Sequence, residues 1–572
     1  MAKVKITGHA SGSGVFTLTA PNSSTDRTIT LPDATGSLLT SADVVATQLT
    51  ATSNIGLGAN AVDSITTGDY NVGLGDGALT DVTSGNYNTG IGYKALENTV
   101  NTHSNTAVGA YSLYNNTGTS NTAVGDNTMQ GAVTGNDNVA IGRQALSVNT
   151  SASNNTAVGR SALGANTTGA SNTAMGNEAL TANTTASFNT AISRRALYAN
   201  TTGTSNVGVG YVALKDNTTG ASNIAIGRGA LANNTTASYN TAIGHDSLGV
   251  NTTGANNTAL GYQALTANTT GASNTAVGVI ALTVNTTGAG NSAFGKGTLD
   301  ANTTGGSNVA VGNSALGANT TASYNTAVGV GSLGTNTTGT ENVGLGYQSV
   351  KANTTGTGNT GLGYRTLETV ITGTDNTAVG GYALLVNTGS NNTAVGYKSL
   401  DANTSGGSNV AVGKGSMTTN TTGANNTATG GSSMENNTTG GQNSGFGNGA
   451  LGQTTTGSDN TAVGFGAVNA NTTASSNTGV GKWSLRYTTT GAYNTGLGAT
   501  TLHTNTTGHS NVAVGKDALY ANTTGHSNVA IGRGSLDSNT TGTINTAVGY
   551  NALTSNTTAA GNTAIGRLSL DA

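Results

Sequence analysis

The sequence predicts an all-β fold, a β-solenoid (β-roll) of about 31 coils with a 17-residue repeat. The motif Asn-Thr-Ala-Val-Gly-x-x-Ala-Leu-x-x-Asn-Thr-Thr-Gly-x-x recurs from Asn54 to Asn562. No proline follows Pro32, so the later residues can all donate to a backbone ladder. The apolar positions lie five residues apart and strong helix formers are scarce, which favours short strands joined by turns over an amphipathic helix.

The repeat divides the chain into residues 1–53 and a repetitive β-solenoid shaft, residues 54–572. The opening asparagine occurs 31 times. In two copies the Asn-Thr-Thr-Gly segment contracts to Asn-Thr-Gly, at residues 116–118 and 387–389, and a segment that tolerates deletion is predicted to be a turn. One coil per repeat stacks identical residues in columns, so we expect the asparagine amides to hydrogen-bond along a ladder.

Three motif positions carry the structural prediction. The fourth position is apolar in 30 of 31 copies, with Thr429 the exception, and the ninth is Leu in 25, so both are expected to be buried columns. The fifth is Gly in 30 copies, with Ser193 the exception. This glycine predicts a positive φ or a close backbone approach, at a corner between two short strands.

Composition limits the classes of function. A net charge of −3 over 572 residues gives no electrostatic footprint for nucleic acid or for an anionic membrane. No apolar run has the length of a membrane span, and residues 1–14 lack the apolar core of a secretory signal. The absence of cysteine excludes disulfides and fits assembly in a reducing cytoplasm. We therefore expect neither nucleic-acid binding nor membrane insertion.

Each coil offers few large apolar side chains, so a stiff shaft is expected to gain stability by association of several chains. The third and eighth positions hold small residues, Ala or Gly and Ala or Ser, which would permit close approach of a second backbone. A parallel homotrimer is the preferred expectation. A monomeric solenoid stays open as the alternative.

Some segments resemble a known family. Residues 138–146, Asn-Val-Ala-Ile-Gly-Arg-Gln-Ala-Leu, and residues 528–536, Asn-Val-Ala-Ile-Gly-Arg-Gly-Ser-Leu, resemble the head repeats of trimeric autotransporter adhesins. The resemblance covers residues 54–572 and implies left-handed parallel β-rolls in a trimer. The period is longer here, and no export signal, stalk or membrane anchor is expected in this chain, so it is not interpreted as an autotransporter.

Residues 1–53 alternate apolar and polar side chains at strand period and predict a small N-terminal β module. The run Thr-Leu-Pro-Asp-Ala-Thr-Gly-Ser-Leu within residues 26–39 resembles the N-terminal modules of tailed-bacteriophage tail fibres and related virion appendages. That resemblance implies a structural fibre of a phage virion, made in the host cytoplasm, that supports attachment to the host surface. Its expected partners are a virion tail or capsid protein, bound through residues 1–53, and a distal tip or cap protein.

Two other functions remain as alternatives. A cell-made, adhesin-like extracellular filament would need an export route that the sequence does not reveal. An ice-binding solenoid would present ladders of Thr and Asn to water, but the Thr pair lies in the turn that tolerates deletion, which interrupts such a face. Thermal hysteresis separates the second alternative from the other functions.

No pattern predicts catalysis, a cofactor or a metal. Gly-x-Gly patterns such as Gly56-Leu-Gly58 are expected from the abundance of glycine, and no helix pattern follows them. Acidic residues are scattered without a recurring pair. His103, His509 and His526 share one motif position, so the last two, one repeat apart, are expected to stack. The chain is not expected to be an enzyme.

One column is expected to face solvent and to contact glycans, the sixth motif position. Aromatic and basic side chains there could grip a host surface polysaccharide by stacking and hydrogen bonding. The simpler interpretation is that these long side chains cover the apolar body and keep a nearly uncharged protein soluble. The candidate contact residues are Tyr93, Arg143, Arg160, Tyr211, Tyr262, Tyr347, Tyr364 and Tyr397, and the same position holds Tyr550, Arg228, Lys296, Lys414, Lys482, Lys516, Arg533 and Arg567.

Overall fold

The computed structural model describes residues 47–49 and 53–571. They belong to two compact units, Met1–Thr204 and Ser205–Ala572. Each unit is a parallel β-solenoid in which one 17-residue repeat makes one coil, and the described residues contain no helix. The predicted fold class is confirmed.

Ten strands belong to the first unit, and all are three residues long. They are β1 Thr47–Leu49, β2 Ile55–Leu57, β3 Val72–Leu74, β4 Thr89–Ile91, β5 Thr106–Val108, β6 Thr122–Val124, β7 Val139–Ile141, β8 Thr156–Val158, β9 Thr173–Met175 and β10 Thr190–Ile192. Strands β2 to β10 pair in parallel with their sequence neighbours, whereas β1 pairs antiparallel with β2. The rest of the predicted N-terminal module lies outside the described residues.

Twenty-two strands belong to the second unit. They are β11 Val207–Val209, β12 Ile224–Ile226, β13 Thr241–Ile243, β14 Thr258–Leu260, β15 Thr275–Val277, β16 Ser292–Phe294, β17 Val309–Val311, β18 Thr326–Val328, β19 Val343–Leu345, β20 Thr360–Leu362, β21 Thr377–Val379, β22 Thr393–Val395, β23 Val410–Val412, β24 Thr427–Thr429, β25 Ser444–Phe446, β26 Thr461–Val463, β27 Thr478–Val480, β28 Thr495–Leu497, β29 Val512–Val514, β30 Val529–Ile531, β31 Thr546–Val548 and β32 Thr563–Ile565. Each pairs in parallel and in register with the next.

The coil of residues 257–273 shows how one repeat folds. Its strand β14 occupies motif positions two to four and bonds to both neighbouring coils: the Thr258 amide donates to the Asn274 carbonyl at 2.8 Å, and the Gly261 amide donates to the Ile243 carbonyl at 2.8 Å. Beyond the strand the coil is a series of turns. The Leu265 amide nevertheless donates to the next coil, to the Ala281 carbonyl, at 3.0 Å. Backbone ladders therefore continue where strand geometry ends.

The predicted burial of the fourth position is wrong. In β14 the central residue Ala259 is fully buried, whereas Leu260 at the fourth position is 43% exposed, and Phe294 in the same column is 42% exposed. Successive side chains of a strand point to opposite faces, so positions two and four must face outward when position three faces inward. The narrow coil accepts only Ala or Gly at the inward position, and the large apolar side chain stays outside.

The ninth position is buried as predicted, and Leu265 is fully inaccessible. The eighth and third positions, here Ala264 and Ala259, are equally inaccessible. Their small size therefore serves the interior of a single chain, and the expectation that they admit a second backbone is wrong. A partner chain would have to contact a different face.

Glycine at the fifth position adopts the predicted positive φ, between 116° and 144° in all 30 copies. It ends the only strand of its coil, so the predicted corner between two strands is wrong: the chain turns from a strand into a run of bends. The ninth position also has positive φ in all 31 copies, 48° to 58°, although it holds Leu, Val or Met. This conformation is costly for such residues and persists because burial of the side chain and the ladder bonds hold it.

A ladder of buried asparagine at the first position runs through each unit, and a second ladder at the twelfth position is interrupted where other residues replace asparagine, as at Val82, Thr99 and Thr454. In the first-position ladder, Asn257 Oδ1 accepts from the backbone amide of Asn274 at 2.9 Å and from its Nδ2 at 3.2 Å. In the twelfth-position ladder, Asn268 Nδ2 donates to Asn251 Oδ1 at 2.8 Å. The Gly271 carbonyl joins the two, because it accepts from Asn257 Nδ2 at 2.8 Å and from Asn268 Nδ2 at 2.9 Å. The expected asparagine ladder is confirmed.

Candidate ligand-binding face

The sixth motif position follows the strand and the positive-φ glycine, and it begins the turn segment of each coil. Its seven tyrosines are 42% to 49% exposed, and the candidate residues Arg143 and Arg160 are also exposed. The prediction that this column faces solvent is confirmed. We name the surface formed by motif positions six, seven, ten and eleven the turn face.

The structure brings only some of the predicted residues together. Tyr347 and Tyr364, in adjacent coils, stack with ring centroids 5.4 Å apart and planes 12° apart. Tyr262 stacks instead on His245 of the preceding coil, at 5.6 Å. Arg143 lies 3.7 Å from the carboxylate of Asp126 across an exposed surface, a distance at which an ion pair contributes little. The column is therefore interrupted, because the sixth position varies from coil to coil.

Sequence reasoning missed the contribution of positions seven and ten. Tyr111 at position seven makes edge contacts with Tyr93 at 5.4 Å and with Tyr114, at position ten, at 5.5 Å. Tyr382 at position seven contacts both Tyr364 at 5.3 Å and Tyr397 at 5.9 Å. The available signal was a tyrosine one residue beyond the 17-residue spacing, as in Tyr93 and Tyr111.

We name these groups the two tyrosine clusters: Tyr93, Tyr111 and Tyr114 form one, and Tyr347, Tyr364, Tyr382 and Tyr397 form the other. Each cluster contains one ion pair, and the two ion pairs occupy the same motif positions. Lys94 Nζ lies 3.0 Å from Glu97 Oε2, and this partner raises the pKa of Lys94. Arg365 Nε lies 2.6 Å from Glu368 Oε2, and the hydrogen bond from that carboxylate raises the pKa of Arg365. The cation is at position seven and the carboxylate at position ten in both, so the charges of Lys94 and Arg365 are neutralised, whereas Lys398, 5.9 Å from the Tyr397 ring centroid, makes no ion pair among the described residues.

The predicted histidine stack is confirmed. The rings of His509 and His526 are 4.7 Å apart and 3° from parallel, and Nδ1 of each lies near the hydroxyl of the following serine. Within residues 53–571, no group of three or more His, Cys, Asp or Glu side chains is placed to hold a metal ion.

A half-buried aspartate at position ten gives a pH-dependent prediction. Burial raises the pKa of Asp300 above its ordinary 3.8. The folded chain therefore binds the carboxyl proton of Asp300 more tightly than the unfolded chain does. The ionised Asp300 destabilises the fold at neutral pH, and this destabilisation fades as pH falls through the raised pKa toward 3.8. Asp300→Asn is expected to slow amide hydrogen exchange in its coil at pH 7 and to have less effect near pH 4.

The control is Asp459→Asn, since Asp459 is exposed at position seventeen. It should leave exchange in its coil unchanged. Faster exchange in Asp300→Asn at pH 7 would contradict the argument from burial.

One depression of about 320 Å³ is lined by residues that include Leu553, Asn562 and Leu570. No long apolar helix that might cross a bilayer occurs in the described part of the chain. No protein-family model and no curated protein matches the sequence.

Proposed function

We propose that the chain is the structural fibre of a bacteriophage virion, a tail fibre or similar appendage that supports attachment to the host surface. The solenoid coils act as a parallel homotrimeric shaft, and residues 1–53 bind a tail or capsid protein of the particle. The role is structural, without catalysis, and the fibre is made in the host cytoplasm. Support for the virion location comes from the resemblance of residues 26–39 to the N-terminal modules of tail fibres.

The exposed fourth position is the observation that carries the proposal. In consecutive strands Ile226, Ile243, Leu260 and Val277 are in-register neighbours, so they form a continuous apolar column on the outer face of the strands. Ile226 and Leu260 are 40% and 43% exposed. Long contiguous apolar surfaces on soluble proteins mark sites of association, and repetition along identical chains favours a second copy as the partner. We name this surface the strand face.

Charges on the strand face are expected to separate the trimer. The double variant Ile226→Lys/Leu260→Lys places two cations in the apolar column, where burying them without partners costs several kcal/mol. Light scattering should give about three times 55.7 kDa for the unmodified chain and a lower mass for the variant. The matched control, Thr253→Lys/Thr270→Lys, places the same charges on exposed turn residues and should keep the trimer mass.

A mass near 55.7 kDa for the unmodified chain would contradict the trimer. Equal masses for both double variants would instead place the interface outside the strand face.

The virion location is tested by cryo-electron microscopy of the source material with an antibody against residues 1–53. The expected image shows fibres rooted by that end on phage particles. Filaments on cells, without particles, would support the cell-made adhesin instead. Ice binding is less favoured, because Phe294 and Thr429 break the regularity of the strand face, and absence of thermal hysteresis would exclude it.

A further inference from the structure

The densest group of rings in the second unit is on the turn face between residues 465 and 520. We name it the tryptophan cluster: Phe465, Trp483, Tyr487, His503 and Tyr520. Four consecutive coils contribute to it, through motif positions six, seven, ten and eleven. Trp483 is the only tryptophan of the chain. Phe465 lies in the sixth-position column, although it was not one of the candidate contact residues, and the other four rings lie outside that column.

The rings form one connected surface. His503 stacks on Tyr520 with centroids 5.0 Å apart and planes 2° apart, and it makes an edge contact with Tyr487 at 5.1 Å. Trp483 lies 6.2 Å from His503 and 6.3 Å from Phe465. A Cβ built on Gly466 would be 3.0 Å from Cδ1 of the indole, so the ring lies against the backbone of the preceding coil. Phe465 and Tyr487 remain 53% and 43% exposed.

Two cations lie over the rings and have no carboxylate partner among the described residues. Lys482 Nζ is 4.1 Å from the Trp483 ring centroid. Arg486 Cζ is 4.8 Å from the same ring and 5.1 Å from that of Tyr487. In the two tyrosine clusters Lys94 and Arg365 are each paired with a glutamate, and among the described residues there Lys398 alone lies over a ring without an ion pair, 5.9 Å from the Tyr397 centroid. The tryptophan cluster therefore combines exposed rings with unneutralised positive charge.

His503 adds unused hydrogen-bonding capacity at the centre of the cluster. Both ring nitrogens are buried and have no hydrogen-bond partner. Burial, and next the charge of Arg486, lowers the pKa of His503, so the ring is neutral near pH 7 and offers one donor and one acceptor. A buried polar atom without a hydrogen-bond partner destabilises the fold.

We propose that the tryptophan cluster binds an acidic polysaccharide, with its rings against the apolar faces of the sugars and with Lys482 and Arg486 on their carboxylate groups. The half-buried Trp483 ring and the exposed Phe465 and Tyr487 rings give an apolar surface with polar edges, which suits a sugar ring. Arginine pairs with carboxylates through two parallel hydrogen bonds. Single-stranded nucleic acid also stacks on rings, but it requires a positively charged groove along its backbone, and this chain carries a net charge of −3.

The site assigns a class of receptor, acidic polysaccharides, to the proposed fibre. Only this biological role, and not the binding itself, rests on the fibre proposal. Binding of sugar by the isolated chain does not depend on whether the protein is found on a virion. Failure of glycan binding would leave the virion location intact, and failure of the virion location would leave the site intact.

The single tryptophan makes the test direct, since intrinsic tryptophan fluorescence reports only on this cluster. The full chain is titrated with polygalacturonate, alginate and polysialic acid, with dextran as the neutral polysaccharide and oligo(dT) as the anionic non-sugar. At least one acidic polysaccharide is expected to shift the emission saturably, while dextran and oligo(dT) leave it unchanged.

Variants separate the site from general charge effects. Lys482→Gln/Arg486→Gln should weaken binding of the acidic polysaccharide at least tenfold and flatten its dependence on salt. The matched control, Lys414→Gln/Arg228→Gln, removes the same charge from the sixth position elsewhere in the second unit and should bind normally. Trp483→Ala, measured by calorimetry, should also bind at least tenfold more weakly, with an unchanged circular dichroism spectrum.

Three outcomes would overturn the proposal: no response to any of the acidic polysaccharides, equal weakening in the two double variants, or a response to oligo(dT) alone.

Discussion

Gly430→Ala is expected to disrupt the coil in which it lies and to expose its neighbours. Gly430 has φ of 132°, and a Cβ placed there would be 2.5 Å from the carbonyl carbon and 2.6 Å from the oxygen of Gly447 in the next coil. A residue forced into that conformation costs about 1–3 kcal/mol from backbone strain alone. The clash is with backbone on which the ladder depends, so no side chain can move to relieve it.

Amide hydrogen exchange measures the loss coil by coil. The amides of Gly430 and Gly447 donate to the carbonyls of Val412 and Thr429 at 2.7 Å and 2.8 Å. Both amides are expected to exchange at least a hundredfold faster, which is about 2.8 kcal/mol of local stability at 1.4 kcal/mol per tenfold change. Because each coil contacts only its neighbours, protection should recover within a few coils on either side.

The adjacent Gly431 provides the control. Its φ is not in the left-handed region, and the nearest atom to a built Cβ is the Nδ2 at the end of the exposed Asn448 side chain, at 3.0 Å. Gly431→Ala should therefore leave exchange nearly unchanged. Equal effects of the two substitutions would show that the loss of glycine flexibility, and not the fifth-position geometry, decides stability.

Substitution of Ser193 tests the same fifth-position geometry by removing a side chain instead of adding one. It is the single serine at the fifth position and has φ of 105°. Ser193→Gly is expected to relieve strain of about 1–3 kcal/mol, against about 0.5–1 kcal/mol of extra unfolded-chain entropy. Slower exchange in the coil of residues 189–205 would agree with this balance, and faster exchange would contradict it.

The sequence allowed prediction of the repeat period, the fold class, the fifth-position glycine and the ninth-position core. These features recur because every coil must stack on its neighbours in the same geometry. The side-chain direction at the fourth position could not be predicted. A large apolar side chain in nearly every copy indicates burial in most proteins, but here Ala259 occupies the interior and Leu260 remains outside. The small residue at position three was the better indicator, since alternation along a three-residue strand permits only one inward side chain.

The candidate face was only partly predictable for a related reason. Position six was identified because tyrosine, lysine and arginine recur there. Its contacts with positions seven and ten depend on left-handed residues in the turn, such as Trp483 with φ of 60° and Leu485 with φ of 54°. A non-glycine side chain rarely adopts that conformation, and no local propensity predicts a regular series of them. The tryptophan cluster therefore emerged only from the folded coil.

Asn257→Asp is expected to have a comparably large effect that depends on pH. The Asn257 side chain is fully buried; its Oδ1 accepts from Asn274, and its Nδ2 donates to the Gly271 carbonyl at 2.8 Å. An aspartate keeps the acceptor but places a second carboxylate oxygen against that carbonyl. Leaving a buried charge without full compensation costs about 3–5 kcal/mol. The Thr258 amide should then exchange at least a hundredfold faster at pH 7, which corresponds to about 2.8 kcal/mol.

The sign of the pH dependence follows from the same contacts. Burial and the facing carbonyl disfavour the charged form, so the introduced carboxyl has a raised pKa in the folded chain. Its destabilising effect is then greatest at neutral pH and declines as pH falls through that raised pKa, because the protonated group donates to Gly271 as the amide did. The neighbouring Asn256→Asp is the control, since Asn256 is exposed and both residue types tolerate its φ of 59°. If Asn257→Asp were as stable as Asn256→Asp at pH 7, the buried amide ladder would not be what holds the coils in register.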